Sequence, residues 1–189
     1  MANVFDNVTV AKHIVAESSL LKSTICGHIY DLRMAKDTDN GTIVARGDWE
    51  STTPDGQVFE TKDYAVGDWP LLVLTTPIGY DTARKGRSAE KWFYNATGEI
   101  ARAYELAVGD IFTVSAEAIT ALSTSTGAVV GNSVQITTTG TKGLYKEVAK
   151  SGASAIKGMR GIIVDKVVYG DGQVAYRIFV DKLGIGETA

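Results

Sequence analysis

The sequence predicts a mainly β protein, an antiparallel β-barrel or β-sandwich carrying an N-terminal arm with a short helix. Three observations point there. Val174, Tyr176, Ile178 and Val180 alternate with Ala175, Arg177 and Phe179, the period of a half-buried strand. Glycine-centred turn phrases recur between apolar runs, with 20 glycines in the chain against 3 prolines. Valine and threonine, which favour pleated surfaces, dominate over any sustained helical pattern. With 189 residues and no recognisable linker, the expected organisation is an arm over residues 1–27 and one β-rich domain over 28–189.

From the N-terminus, Val10, Ile14, Leu21 and Ile25 keep near-helical spacing, and Thr9 is placed to cap a helix over about 9–23. Tyr30, Leu32 and Met34 then alternate with Asp31 and Arg33, Asp39-Asn40-Gly41 reads as a turn, and alternation resumes at Ile43, Ala45 and Trp49. This predicts a hairpin, because Asn-Gly tolerates the positive φ that tight hairpins need. A further hairpin is expected between Lys91–Tyr94 and Glu99–Leu106 around Asn95-Ala96-Thr97-Gly98. Short helices are expected over Ser115–Leu122 and Leu144–Ala149. The C-terminal hairpin is the clearest element: Ile162–Val168, the turn Tyr169-Gly170-Asp171-Gly172, then Val174–Val180.

Short phrases repeat. Ala65-Val66-Gly67-Asp68 matches Ala107-Val108-Gly109-Asp110, and Val130-Gly131-Asn132 is a weaker third copy. Each precedes a strand-like run: Leu71–Thr75, Ile111–Ser115 and Ser133–Thr137. Turn chemistry explains the repetition without duplication, and the spacing is too irregular for a solenoid or propeller.

Composition excludes more than it assigns. A net charge of −3 supplies no bulk attraction to DNA or an anionic membrane, so no nucleic-acid partner is expected. No run of eighteen apolar residues occurs, so no membrane-spanning helix is expected; the N-terminal residues lack the pattern of a signal peptide, which points to synthesis in a cytosol. Cys26 and His28 leave only His13 as another soft donor, too few for zinc. Asp37-Thr38-Asp39-Asn40-Gly41 opens like a calcium loop, but its glycine comes one position early and Asp48 stands where the closing glutamate belongs. Arg84-Lys85-Gly86-Arg87-Ser88 has the wrong order for a phosphate-binding loop. No nucleophile elbow is present; Asp63, Asp68, Asp110 and Glu117 are available as a carboxylate pair, but Asp68 and Asp110 sit in turns that already account for them. The expectation is therefore no enzyme activity, no metal and no cofactor. Arg46-Gly47-Asp48 falls inside an alternating strand, where an integrin-type loop tip would not be. Lys142, Lys146 and Lys150 would form one basic stripe if helical. Trp49, Trp69, Trp92, Phe93, Tyr94 and Tyr104 gather in the middle third, where aromatics serve as core or as binding surface.

In this small, histidine-poor, Gly/Thr-rich β pattern, with its Ala-Val-Gly-Asp turns at 65–68 and 107–110 and terminal hairpin at 161–181, the chain resembles the small structural proteins of tailed-bacteriophage virions, in particular capsid decoration (cement) and other head-associated proteins. The resemblance implies a virion protein that binds junctions of a capsid lattice and stabilises the shell. Its partners would be capsid or other virion subunits, or further copies of itself as a homo-oligomer. Edge strands and the arm would pair with or lie across neighbouring subunits. The expected contact residues are Val4, Phe5 and Val8 in the arm, Arg84, Lys85 and Arg87 in the basic loop, and Trp69 and Trp92 as anchors. The alternatives are a tail-tube or other self-assembling virion subunit and a carbohydrate-binding β-sandwich with Trp49, Trp69 and Trp92 as stacking platforms.

Overall fold

The structure, a computed structural model, describes residues 13–50, 57–77, 90–139, 143–168 and 172–188. The strands in chain order are β1 (Ala16–Leu20), β2 (Ile29–Arg33), β3 (Ile43–Trp49), β4 (Val58–Asp63), β5 (Leu71–Val73), β6 (Ile100–Glu105), β7 (Ile111–Ser115), β8 (Ile119–Thr120), β9 (Ser133–Ile136), β10 (Tyr145–Val148), β11 (Arg160–Val168) and β12 (Val174–Lys182). A single helical turn, α1 (Ser23–Cys26), follows β1. The mainly β fold expected from the sequence is the one observed. Five strands close a barrel in the order β2-β4-β3-β5-β6, and seven form a sheet in the order β1-β7-β12-β11-β9-β10-β8. Two pairings, β2 with β4 and β8 with β10, are parallel.

The C-terminal hairpin is the centre of the large sheet. β11 and β12 pair antiparallel, with Ile163 opposite Ile178 and Val168 opposite Val174. Tyr176, Ile178 and Val180 are buried on one face, as their alternation requires. β7 adds to the outer side of β12 and β9 to the outer side of β11.

Both flanking strands are introduced by the repeated turn. In Ala107–Asp110 the Asp110 N–H donates to Ala107 O (3.1 Å) and the Ala107 N–H donates to Asp110 Oδ2 (2.8 Å). Gly109 N–H then donates to Val180 O while Val180 N–H donates to Asp110 O, both at 2.8 Å, which docks the turn onto β12. Gly131 and Asn132 make the same pair of bonds with Ile163 of β11, at 2.8 and 2.9 Å. Gly109 and Gly131 sit at φ 93° and 92°, where a Cβ is strained, so the shared phrase follows from backbone geometry. Asn132 has no carboxylate to cap the Val129 N–H. Glu147, buried on β10, supplies one: it accepts from the N–H groups of Val129 and Leu122 (each 2.8 Å) and from Asn132 Nδ2 (2.6 Å). Burial pushes the Glu147 carboxyl up, but the bonds from Leu122, Asn132 and Val129 together outweigh it and hold the group below its ordinary 4.5.

The two sheets share a core. β3 places Ile43 against the large sheet and Val44 in the barrel interior; β5 places Leu72 against the sheet and Leu71 and Val73 in the barrel. The unbroken apolar run at 71–73 is thus a strand buried on both faces. Leu32, Met34, Ala101 and Ala103 complete the barrel interior. Buried Tyr145 crosses the seam, its hydroxyl donating to Gly41 O at 2.8 Å, and the Tyr64 hydroxyl accepts from Met159 N–H at 2.9 Å.

Several expected elements are different. The helix over 9–23 is replaced, in its described part, by strand β1 and the turn α1 at 23–26. Ile14 and Leu21 are buried at the two ends of a strand, and Ile25 is 82% exposed, so the near-helical spacing does not mark one face. The 30–34 and 43–49 segments are strands but do not pair. β2 lies between β4 and β6, and the Asp39–Thr42 turn docks on Val73 of β5 through Gly41 N–H to Val73 O (2.8 Å) and Val73 N–H to Thr42 O (3.0 Å). Asn-Gly here serves the same turn as Gly-Asp, and barrel closure chooses the partner. Lys91–Tyr94 does not pair with β6; a 3-10 turn occupies Glu90–Trp92 and Asn95 bridges to Thr38. Ser115–Leu122 is a 3-10 turn followed by β8, and Leu144–Ala149 contains β10, whose inward Tyr145 and Glu147 keep period two. Lys146 and Lys150 therefore do not form a helical stripe; Lys142 lies outside the described residues.

Two outcomes test this fold. Tyr145→Phe leaves the Gly41 carbonyl buried without its donor and should lower unfolding free energy by about 1–3 kcal/mol in denaturant titrations. Because Glu147 is lowered in the folded state, its stabilisation is present above its ordinary value and lost as pH falls below 4.5. Glu147→Gln should cost about 1–3 kcal/mol at neutral pH and flatten this acid limb, measured by melting between pH 3 and 7.

Candidate functional site

Two surfaces have the geometry to engage something else, one on each sheet. The first is the mouth of the barrel. β2 and β6 pair with Ile29 opposite Tyr104 and Tyr30 opposite Ala103, so Tyr30 and Glu105 come together at the end where β2 begins. Glu105 is clamped there: Tyr30 OH donates to Oε2 at 3.0 Å, and His28 Nδ1 lies 3.0 Å from Oε1. Burial first, and then the Glu105 hydrogen bond and charge, raise the Tyr30 phenol above its ordinary 10.0, opposed by Arg46. Arg46, on β3, lays its guanidinium 5.2 Å from the Tyr30 ring centroid and 4.9 Å from that of Phe59. Trp49 meets Phe59 edge-on at 5.0 Å. Trp69, 47% exposed, closes the other side next to Asp68, which is bound by Lys62 Nζ at 3.1 Å and by the Ala65 N–H. A half-open pocket lined by His28, Tyr30, Arg46, Asp68, Trp69 and Glu105 has a volume of about 360 Å³.

The second surface is the edge of the large sheet. β1 pairs with β7 only, and no strand covers its other side among the described residues. Ser115 N–H donates to Val15 O at 2.9 Å, so Val15 and Glu17 turn their backbone groups to β7. By the antiparallel alternation Ala16 and Ser18 then present theirs outward. Residues 17–20 are exposed. Beside this edge runs a groove of about 390 Å³ between Ala16–Ser18 and Leu74–Pro77, with Asn40 and Glu90 at its walls.

Of the residues expected to make contacts, Val4, Phe5, Val8, Arg84, Lys85 and Arg87 lie outside the described residues. Trp69 lines the barrel mouth. Trp92 does not: it is half-buried in the 3-10 turn at 90–92, with Lys91 Nζ 5.7 Å from its ring centroid, near the Thr38–Asn95 bridge beyond the opposite end of β2. Trp69 and Trp92 therefore do not share a site. His28, Tyr30, Arg46 and Glu105 were missed. Each is an ordinary strand or loop residue in sequence, and only the β2/β6 and β3 registers bring them together.

Among the described residues no cluster of three or more His, Cys, Asp or Glu is placed to hold a metal ion, and no helix is long and apolar enough to cross a membrane. The carboxylates of the calcium-like stretch are engaged elsewhere. Asp37 accepts from Thr97, and Asp39 accepts from the Ile14 N–H and bonds His13 at 2.7 Å. Comparison of the chain with protein-family models, curated proteins and solved structures gives no match in any of the three. The class defined by the structure is a two-sheet β protein with a closed five-stranded barrel and, among the described residues, an open sheet edge.

Glu105→Gln removes the charge and weakens the bond that help to raise Tyr30. The Tyr30 phenol should ionise closer to 10.0 in the variant, read by ultraviolet difference titration with Tyr30→Phe to assign the signal.

Proposed function

We propose that this protein is a non-enzymatic structural subunit that associates through its β1 edge, and that the particle it serves is a virion shell, as a decoration protein. The observation that carries this reading is the outward backbone of Ala16 and Ser18 beside the groove walled by Leu74–Pro77. An extended segment laid there gains main-chain hydrogen bonds from the edge and side-chain contacts from the groove. Natural sheets guard open edges with prolines, lysines, bulges or very short strands. β1 has five residues, none of them lysine or proline, and ends in the exposed Leu20 after a register shift between Ser18 and Leu20, whereas the opposite edge, β8, has two. A longer edge on one side and a two-residue edge on the other suit a subunit that joins neighbours on one side. The virion assignment rests on the sequence resemblance; a self-assembling tail subunit would use the same edge, and tubes or rings formed by the protein alone would favour it.

Ser18→Pro removes an outward N–H without touching the β7 ladder. It should abolish self-association, or binding to shells of the protein's own particle, in sedimentation and co-pelleting assays, while leaving the melting temperature within a few degrees. Unchanged association in a folded variant would sink the β1 reading.

A further inference from the structure

The barrel mouth holds an unusual combination. Arg46 is stacked on two aromatic rings, and its N–H groups have no hydrogen-bond or ion-pair partner among the described residues. Across the same cavity stands Glu105, each oxygen accepting one bond, from Tyr30 or next to His28, and each retaining a further lone pair. Asp68, neutralised by Lys62, and the half-exposed indole of Trp69 complete the wall.

The ligand chemistry follows from what would leave these groups satisfied. An anion would suit Arg46 but would face the Glu105 carboxylate. A cation would suit Glu105 and meet Arg46. An apolar guest would cover the guanidinium and the carboxylate without replacing their water, which is costly. A neutral guest with adjacent hydroxyls meets both demands, because each hydroxyl accepts from a guanidinium N–H and donates to a carboxylate oxygen. A flat apolar face on the same guest would lie on Trp69. Sugars in pyranose form have both properties. Tyr30 and Phe59 hold Arg46 in place, and His28 and Tyr30 hold Glu105, so the polar groups are oriented before the guest arrives.

We propose that the barrel mouth is a carbohydrate site that takes one pyranose unit of a neutral saccharide, with Trp69 beneath the ring and Arg46 and Glu105 bonding a pair of its hydroxyls. Trp92 has no part in it. The site shares no residue with the β1 edge, so a subunit docked by that edge could display the barrel mouth to glycans.

The test uses the full chain, methyl glycosides of glucose, galactose, mannose, rhamnose and N-acetylglucosamine, and an oligosaccharide array, read by tryptophan fluorescence and calorimetry. At least one neutral saccharide should bind. Trp69→Ala should weaken it about tenfold or more. Arg46→Met should do likewise, with melting temperatures held near that of the parent, and Trp92→Phe should leave affinity unchanged. Absence of binding across the panel overturns the proposal. Binding that survives both Trp69→Ala and Arg46→Met places the sugar elsewhere and also overturns it. So does a mouth that takes acetate or phosphate through Arg46 and no sugar.

Discussion

The first residues of β3 and the three-residue β5 are covered on both faces, and the architecture hangs on that double burial. Ile43 and Leu72 belong to the core under the large sheet, while Val44, Leu71 and Val73 belong to the barrel interior one residue away. A barrel closed by five strands has little room for its own core, and here much of the interior is Ala101, Ala103 and the branched side chains opposite them. The sheet supplies the missing burial, so neither sheet is complete without the other.

Two buried carboxylates are held mainly by backbone N–H groups, not by opposite charges. Glu147 and Asp110, both essentially inaccessible, are satisfied by N–H donors that close turns and anchor the chain: Glu147 holds Leu122 and Val129, and Asp110 holds Ala107 and Lys22. At Glu147 the bonds from Leu122, Asn132 and Val129 outweigh its lost hydration and favour the charged form. The result is a loop-rich protein whose connections are fixed by a few acids.

Rigidity of this kind bears on function. The β1 edge and the barrel mouth sit on different sheets, and strands position most of their groups. At the mouth, Arg46 and Glu105 are each fixed by two neighbours but left with unused hydrogen-bonding capacity. At the edge, Ala16 and Ser18 are paired along β7, ahead of a register shift between Ser18 and Leu20. One surface offers polar groups to a small guest, the other offers main chain to a polypeptide.

How much was readable beforehand follows from the range of each interaction. The C-terminal hairpin, the strands after the Gly-Asp turns and the mainly β class were legible because alternation and positive-φ turns act within a few residues. The same local signals misread 13–23 and 144–149 as helix, since Ile14, Leu21 and Tyr145 are apolar for reasons set by β7, β9 and the seam. Asp39-Asn40-Gly41 revealed a turn but not that β2 would pair with β4 and β6. Trp69 could be picked out as a large exposed-type aromatic, yet its neighbours Arg46 and Glu105 are 59 positions apart and meet only through strand register. Sequence by itself determined where the chain turns and extends, because those choices are made by neighbouring residues. Tertiary structure alone decided which edges pair, which stays open and which polar groups share a cavity, because those depend on closing a barrel between segments distant along the chain.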